Sequence, residues 1–159
     1  MRKFWPFPLL AVVASFALVG TVLANHLPAN HNITTIVDRG TLAETIKYNL
    51  GDTKVQTKAA VDIVDADVSF PPGASAGWHS HPGPIFVVVK TGTLSVWDEQ
   101  CVKHSYSHGD AFFEAGPTTS LLVKNESLTE TVTVSATFIV PVGTTALRIG
   151  EPHLCGIEE

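Results

Sequence analysis

The feature that most limits what this chain can fold into is a succession of short runs after about residue 40. Each run is apolar at every second position and closed by glycine, proline, asparagine or aspartate. Alternation with period two marks strands with one buried face, and turn residues at such close spacing leave no room for helices between them. Thr45 to Leu50 alternates, Gly51-Asp52 is a turn signal, and Lys54 to Thr57 alternates again, which reads as a hairpin. Val61 to Phe70 is rich in β-branched residues and is stopped by Pro71-Pro72-Gly73. Ile85 to Lys90 and Leu94 to Trp97, around Thr91-Gly92-Thr93, read as a second hairpin. Val102 to Tyr106 with Asp110 to Phe113, and Thr119 to Lys124 with Glu130 to Val140, continue the series. No segment after residue 24 sustains a 3.6-residue period. The expected class is all-β, a sandwich or a small closed barrel, since closure leaves no strand edge open to aggregation.

The first residues follow another logic. Met1-Arg2-Lys3 is basic, Leu9 to Leu23 is an uncharged apolar run, and Val22 and Ala24 place small side chains three and one positions before Asn25. That is the pattern of a secretory signal peptide, residues 1–24, cleaved after Ala24. An uncleaved membrane anchor is the competing reading, because Phe4 to Ala24 approaches the ~20 residues that span a bilayer. Pro6 and Pro8 would break such a helix early and favour the signal. The expectation is a secreted or otherwise extracytoplasmic protein with no membrane span after cleavage. Residues 25–40 are expected to be a flexible leader. His26 would become the second mature residue, where an amino terminus and an imidazole can chelate copper(II), a mobile tail being the plainer reading.

Loss of Arg2 and Lys3 reduces the ten Lys and Arg to eight, against fifteen Asp and Glu, a formal charge of −7. That balance argues against nucleic acid as a partner. The remaining ~135 residues suffice for one domain, read over 41–150, with 151–159 as a C-terminal tail. Cys101 and Cys155 are expected to form a disulfide in an exported chain, pinning that tail. The bond would close a loop of about 55 residues and stabilise the fold by roughly 4 kcal/mol. No C-x-x-C spacing points to redox catalysis.

Chemistry is concentrated in Gly73-Ala-Ser-Ala-Gly-Trp-His79-Ser-His81. His-x-His on an extended strand puts both imidazoles on one face, where they either share one divalent metal or form a hydrogen-bonded structural pair. Gly92 follows Ile85 after six residues. Together Gly73, His79, His81 and Gly92 resemble the first motif of the cupin family, and Gly109-Asp-Ala-Phe-Phe-Glu-Ala-Gly-Pro117 resembles part of the second. The resemblance spans about Thr41 to Ile149. Within the family, Gly77-Trp-His-Ser-His-Pro-Gly-Pro84 is similar to a group of small exported cupins with one cysteine near the middle and one near the end, places that Cys101 and Cys155 occupy. The resemblance implies a single-domain double-stranded β-helix, or jelly-roll barrel, with the motif histidines facing inward. It also implies a homodimer formed through a sheet edge.

A complete cupin site has three histidines and a glutamate around iron, manganese, nickel, copper or zinc. Here the glutamate slot holds Ile85. The third-histidine slot falls at Ser120 counting forward from Gly109 and at Leu121 counting back from Asn125. Two neutral ligands without a carboxylate would hold a dication weakly. His104, His108 and Glu114 are candidate replacements, each with a plainer reading: His104 on a solvent face, His108 in a turn, Glu114 outside its strand. Ile85, Val87 and Val89 share one face, so the interior is expected to be apolar, either filled or open to a small hydrophobic ligand.

Two functions remain. The preferred one is an exported cupin that binds a small molecule or a loosely held divalent metal without turnover. The other is a metal-dependent oxygenase or isomerase that uses His79, His81 and an atypical third ligand. Asn32-Ile-Thr34 and Asn125-Glu-Ser127 also match the N-glycosylation acceptor pattern.

Overall fold

The computed structural model describes residues 31–157. The signal peptide, its cleavage after Ala24, His26 and the start of the leader lie outside the described residues. Within them the chain forms twelve strands and no helix: β1 (Ile33–Leu42), β2 (Lys47–Leu50), β3 (Thr53–Gln56), β4 (Val61–Phe70), β5 (Ser75–Ser80), β6 (Ile85–Thr91), β7 (Thr93–Trp97), β8 (Lys103–Ser107), β9 (Ala111–Glu114), β10 (Leu121–Lys124), β11 (Val132–Pro141) and β12 (Ile149–Gly150). One sheet has the order β1-β4-β11-β6-β9 and the other β12-β5-β10-β7-β8, while β2 and β3 pair only with each other, as Gly51-Asp52 predicts. From β4 to β12 the chain changes sheet at every connection except β7 to β8. This is the all-β jelly roll, or double-stranded β-helix.

That alternation corrects the hairpin expected across Gly92. Between β6 and β7 lies only Gly92, with φ of 72°. Two-residue loops are the shortest common reversal, so one residue makes a corner and sends the chain into the opposite sheet. β6 therefore pairs with β9 and β11, and β7 with β8 and β10. β8 and β9, and likewise β10 and β11, are also split between sheets. Period two reveals which face of a strand is buried and is silent about its neighbour.

The domain also begins earlier than residue 41. β1 pairs with β4 along its length, from Ile33↔Ser69 to Leu42↔Val61. Residues 33–40, read as leader, are therefore an ordered edge strand. Nearly every residue of β1 is exposed, so it is held by its backbone ladder and offers no alternating burial for a periodicity argument to find.

The core lies between the two sheets, built from Val64, Ala66 and Val68 of β4, Ile85, Val87 and Val89 of β6, and the inward residues of β11, β7 and β10. A second, smaller cluster sits on the outer face of the other sheet. There Trp78, Trp97 and Leu122 are covered by Leu154, Cys155 and Ile157. The expected disulfide joins Cys101 to Cys155 with Cα atoms 5.6 Å apart and pins the tail over this face. Such a bond persists in oxidising surroundings.

Candidate metal centre

Strict alternation along β5 would undo the site. Ala74 and Ala76 belong to the inner core, so unbroken period two would turn Trp78 inward and the histidines outward. A bulge prevents this. Pairing with β10 runs Leu121↔His79, Leu122↔Trp78 and then Lys124↔Ser75, which places one extra residue on β5. Gly77 sits in that bulge with φ of 67°, a conformation that costs any residue with a Cβ. Its N–H donates to Ser75 Oγ at 2.9 Å. Beyond the bulge Trp78 faces out to the second cluster, and His79 and His81 face the cavity.

Both rings are oriented by backbone carbonyls. His79 Nδ1 lies 2.8 Å from Gly77 O, and His81 Nδ1 lies 2.5 Å from Leu147 O. A carbonyl oxygen only accepts, so each Nδ1 carries the proton and each neutral ring keeps its Nε2 lone pair free, the arrangement that metal-bound histidines use. Burial pushes His79 down from 6.5 to about 4, partly offset by the Glu114 carboxylate. His79 is thus neutral at ordinary pH.

Glu114 completes the group. It is 6 % exposed, with His79 at 4 % and His81 at 7 %. Its Oε2 lies 2.8 Å from His81 Nε2, and the donor atoms of the three residues all lie within 4.8 Å of one another. In the neutral form of His81, with its one proton on Nδ1, two lone pairs would face each other at that 2.8 Å contact. A buried carboxylate oxygen in this position calls for a positive centre, either a proton shared with His81 or a cation. Metal–donor bonds of ~2.1 Å put neighbouring donors about 3 Å apart, so the His81–Glu114 edge already suits a cation.

Glu114 corrects the outward reading of that residue and the expectation of a site without a carboxylate. In β9, Ala111 and Phe113 are exposed, Phe112 is half-buried and Glu114 is buried, so Glu114 belongs to the inner face. The other two candidates do not join. His104 pairs through Nε2 with Asp98 Oδ2 at 3.1 Å on the exposed surface, and His108 Nδ1 donates to Lys90 O at 2.7 Å in its turn. Leu121, paired with His79 and buried in the core, occupies the inward third-histidine position, while Ser120 precedes the strand and donates its N–H to Glu99 Oε1.

The barrel is not filled. A cavity of about 90 Å³ is lined by Ile85, Val87, Phe112 and Phe138 and by the three polar residues, with exposed Arg148 at its mouth. That volume admits several waters or part of a small molecule. Asn125, by contrast, is wholly buried and spends its amide on the carbonyls of Phe70, Pro71 and Glu130, so its glycosylation pattern is inaccessible.

The cupin domain family model matches residues 66–135, a span that contains His79, His81 and Glu114. This chain carries a cupin domain. The cupin domain is similar to one from Bordetella pertussis Tohama I, at 21 % identity over 70 % of this chain and 95 % of that one, with a TM-score of 0.49. It is also similar to a Klebsiella pneumoniae protein with a double-stranded β-helix domain, at 18 % identity over 76 % and 87 % of the two chains, TM-score 0.49. No curated protein matches the sequence. The carboxylate that faces His79 and His81 comes from β9, while Ile85 of β6 occupies the slot that the first cupin motif gives to glutamate.

Proposed function

We propose that this protein is an exported, metal-dependent cupin in which His79, His81 and Glu114 hold a single divalent cation. The observation that carries the reading is the buried Glu114 oxygen facing the Nε2 of a histidine whose proton is committed to a backbone carbonyl. Two imidazoles and one carboxylate on one side of an ion form the donor set associated with non-haem iron(II), and manganese accepts the same oxygen and nitrogen donors. Three protein ligands leave coordination positions free, as catalytic sites do and closed structural sites do not. This moves the enzyme reading ahead of a purely structural barrel. The apolar walls favour a small, largely hydrophobic substrate or ligand that presents one polar group to the ion. When bound, the ion would supply Lewis acidity or an oxygen-binding position. The chain's own residues would orient that ion at one side of an apolar cavity. Export is supported by the basic and apolar start of the sequence and by the disulfide.

The deciding experiment is metal analysis of protein purified without chelators or a histidine tag. About one equivalent of iron or manganese, absent from a His79→Ala, His81→Ala double variant, is the expected result. Metal-free protein that refuses added iron, manganese and zinc would overturn the metal reading.

A further inference from the structure

The histidine strand is flanked along its free edge by one short piece of chain. Leu147 O accepts from His81 Nδ1–H at 2.5 Å and so sets that ring's tautomer. Arg148 donates from Nε at 3.0 Å and from Nη2 at 2.5 Å to Ala76 O, and from Nη2 to Trp78 O at 3.4 Å. Those two carbonyls flank Gly77, so the guanidinium clamps the bulge that turns the histidines inward. Ile149 pairs with Ser80 and Gly150 with His79. Glu151 N–H donates to Trp78 O at 3.0 Å, and Glu151 Oε1 accepts from Ser80 Oγ at 2.6 Å. Every residue from 147 to 151 therefore touches the stretch 76–81.

The strap buries little apolar surface of its own besides Leu147, which packs against the core. β12 is two residues long and exposed, and beyond it the chain is secured by Leu154 and Ile157 against the tryptophan cluster and by the bond from Cys155 to Cys101. Both cysteines have φ of 65°, an unfavourable conformation for residues other than glycine.

We propose that Leu147–Cys155 is a positioning strap for the metal centre, and that the Cys101–Cys155 disulfide makes the centre competent. The inference rests on the metal reading above. The chemistry is thiol–disulfide exchange with a dithiol: its thiolate attacks one sulfur of the bond, and its second thiol resolves the mixed disulfide. Two cysteine thiols and the oxidised dithiol result, a transfer of two electrons. In the thiol form Leu147 O and the Arg148 clamp are no longer held against β5. The ion is then held more weakly until the disulfide has formed, so loading is favoured once the chain has left a reducing compartment.

The test compares oxidised protein, dithiol-reduced protein and a Cys101→Ser, Cys155→Ser variant, with cobalt(II) as the probe. Outer-partner loss weakens metal sites by about 10–100-fold, and that is the expected fall in cobalt affinity on reduction. In metal-free samples, the slowly exchanging His81 Nδ1–H resonance should vanish and tryptophan emission should shift to the red, while the β-type circular dichroism persists. Unchanged affinity with a persistent His81 Nδ1–H resonance in the reduced protein overturns the proposal. Should the cysteine variant and the reduced protein unfold, Arg148→Met with the disulfide intact decides: weaker cobalt binding and altered histidine resonances support the strap, wild-type values refute it. If cobalt fails to bind even the oxidised wild type, the metal reading falls, and the resonance and the emission shift alone judge the strap.

Discussion

Glu114 stands directly opposite Ile85 in the ladder between β6 and β9. Ile85 occupies the slot where a cupin normally places its glutamate, so the carboxylate has not been lost from this barrel; it has moved one strand sideways on the same inner face. Directly opposed residues have Cβ atoms about 5 Å apart, close enough for the Glu114 carboxylate to reach the region that a side chain at position 85 faces.

Glu114→Gln separates the two roles of the carboxylate. Without an ion, the variant exchanges a buried charge for an amide whose N–H can donate to His81 Nε2, so the metal-free fold should be unchanged or more stable by about 1 kcal/mol. Divalent-metal affinity should fall by more than the ~100-fold that an outer partner costs. Denaturation and metal titration on the same preparation check both signs, and loss of stability with intact metal binding would refute the assignment.

His79 makes the stability of the metal-free protein depend on pH. Its value of about 4 in the fold lies below the ordinary 6.5, so between these limits the unfolded chain binds more protons than the folded one. Stability should rise with pH through that window and be lost as pH falls from about 6.5 toward 4, by about 3 kcal/mol in total. Urea denaturation across this range reads the slope. It should flatten in His79→Asn, and a flat wild-type profile contradicts the burial argument.

Gly77→Ala tests the bulge. A Cβ at φ of 67° costs about 1–2 kcal/mol, and the relief available to the chain is to straighten β5, which rotates His79 out of the cavity. The expected outcome is a lower melting temperature together with weakened metal binding. A variant that loses stability and keeps full metal affinity would show that the histidines are aimed by something else.

Asn125 should carry no glycan when the protein is made in a glycosylating host, because its amide holds three carbonyls inside the fold. Asn125→Ala strands those groups, and a loss of about 3 kcal/mol is expected from several buried hydrogen bonds. Mass spectrometry and thermal unfolding check the two halves of this prediction.

The sequence by itself determined the local facts. Alternation identified most of the strands, His79-Ser-His81 marked two imidazoles on one face, and two cysteines in a chain with an export-like start implied the Cys101–Cys155 bond. Those features are written within a few residues of each other or follow from counting. Only the tertiary structure decided which strands lie side by side. Gly92 turns a corner where a hairpin was expected, which brings β9 beside β6 and places Glu114, rather than His104 or His108, beside the two histidines. The ordered β1 was hidden for a similar reason, since an edge strand held by backbone bonds carries no burial pattern. The proton of His81 is assigned by a carbonyl 66 positions away in the chain. Side-chain periodicity encodes the face a residue shows, whereas pairing between distant segments depends on the path of the whole chain through both sheets.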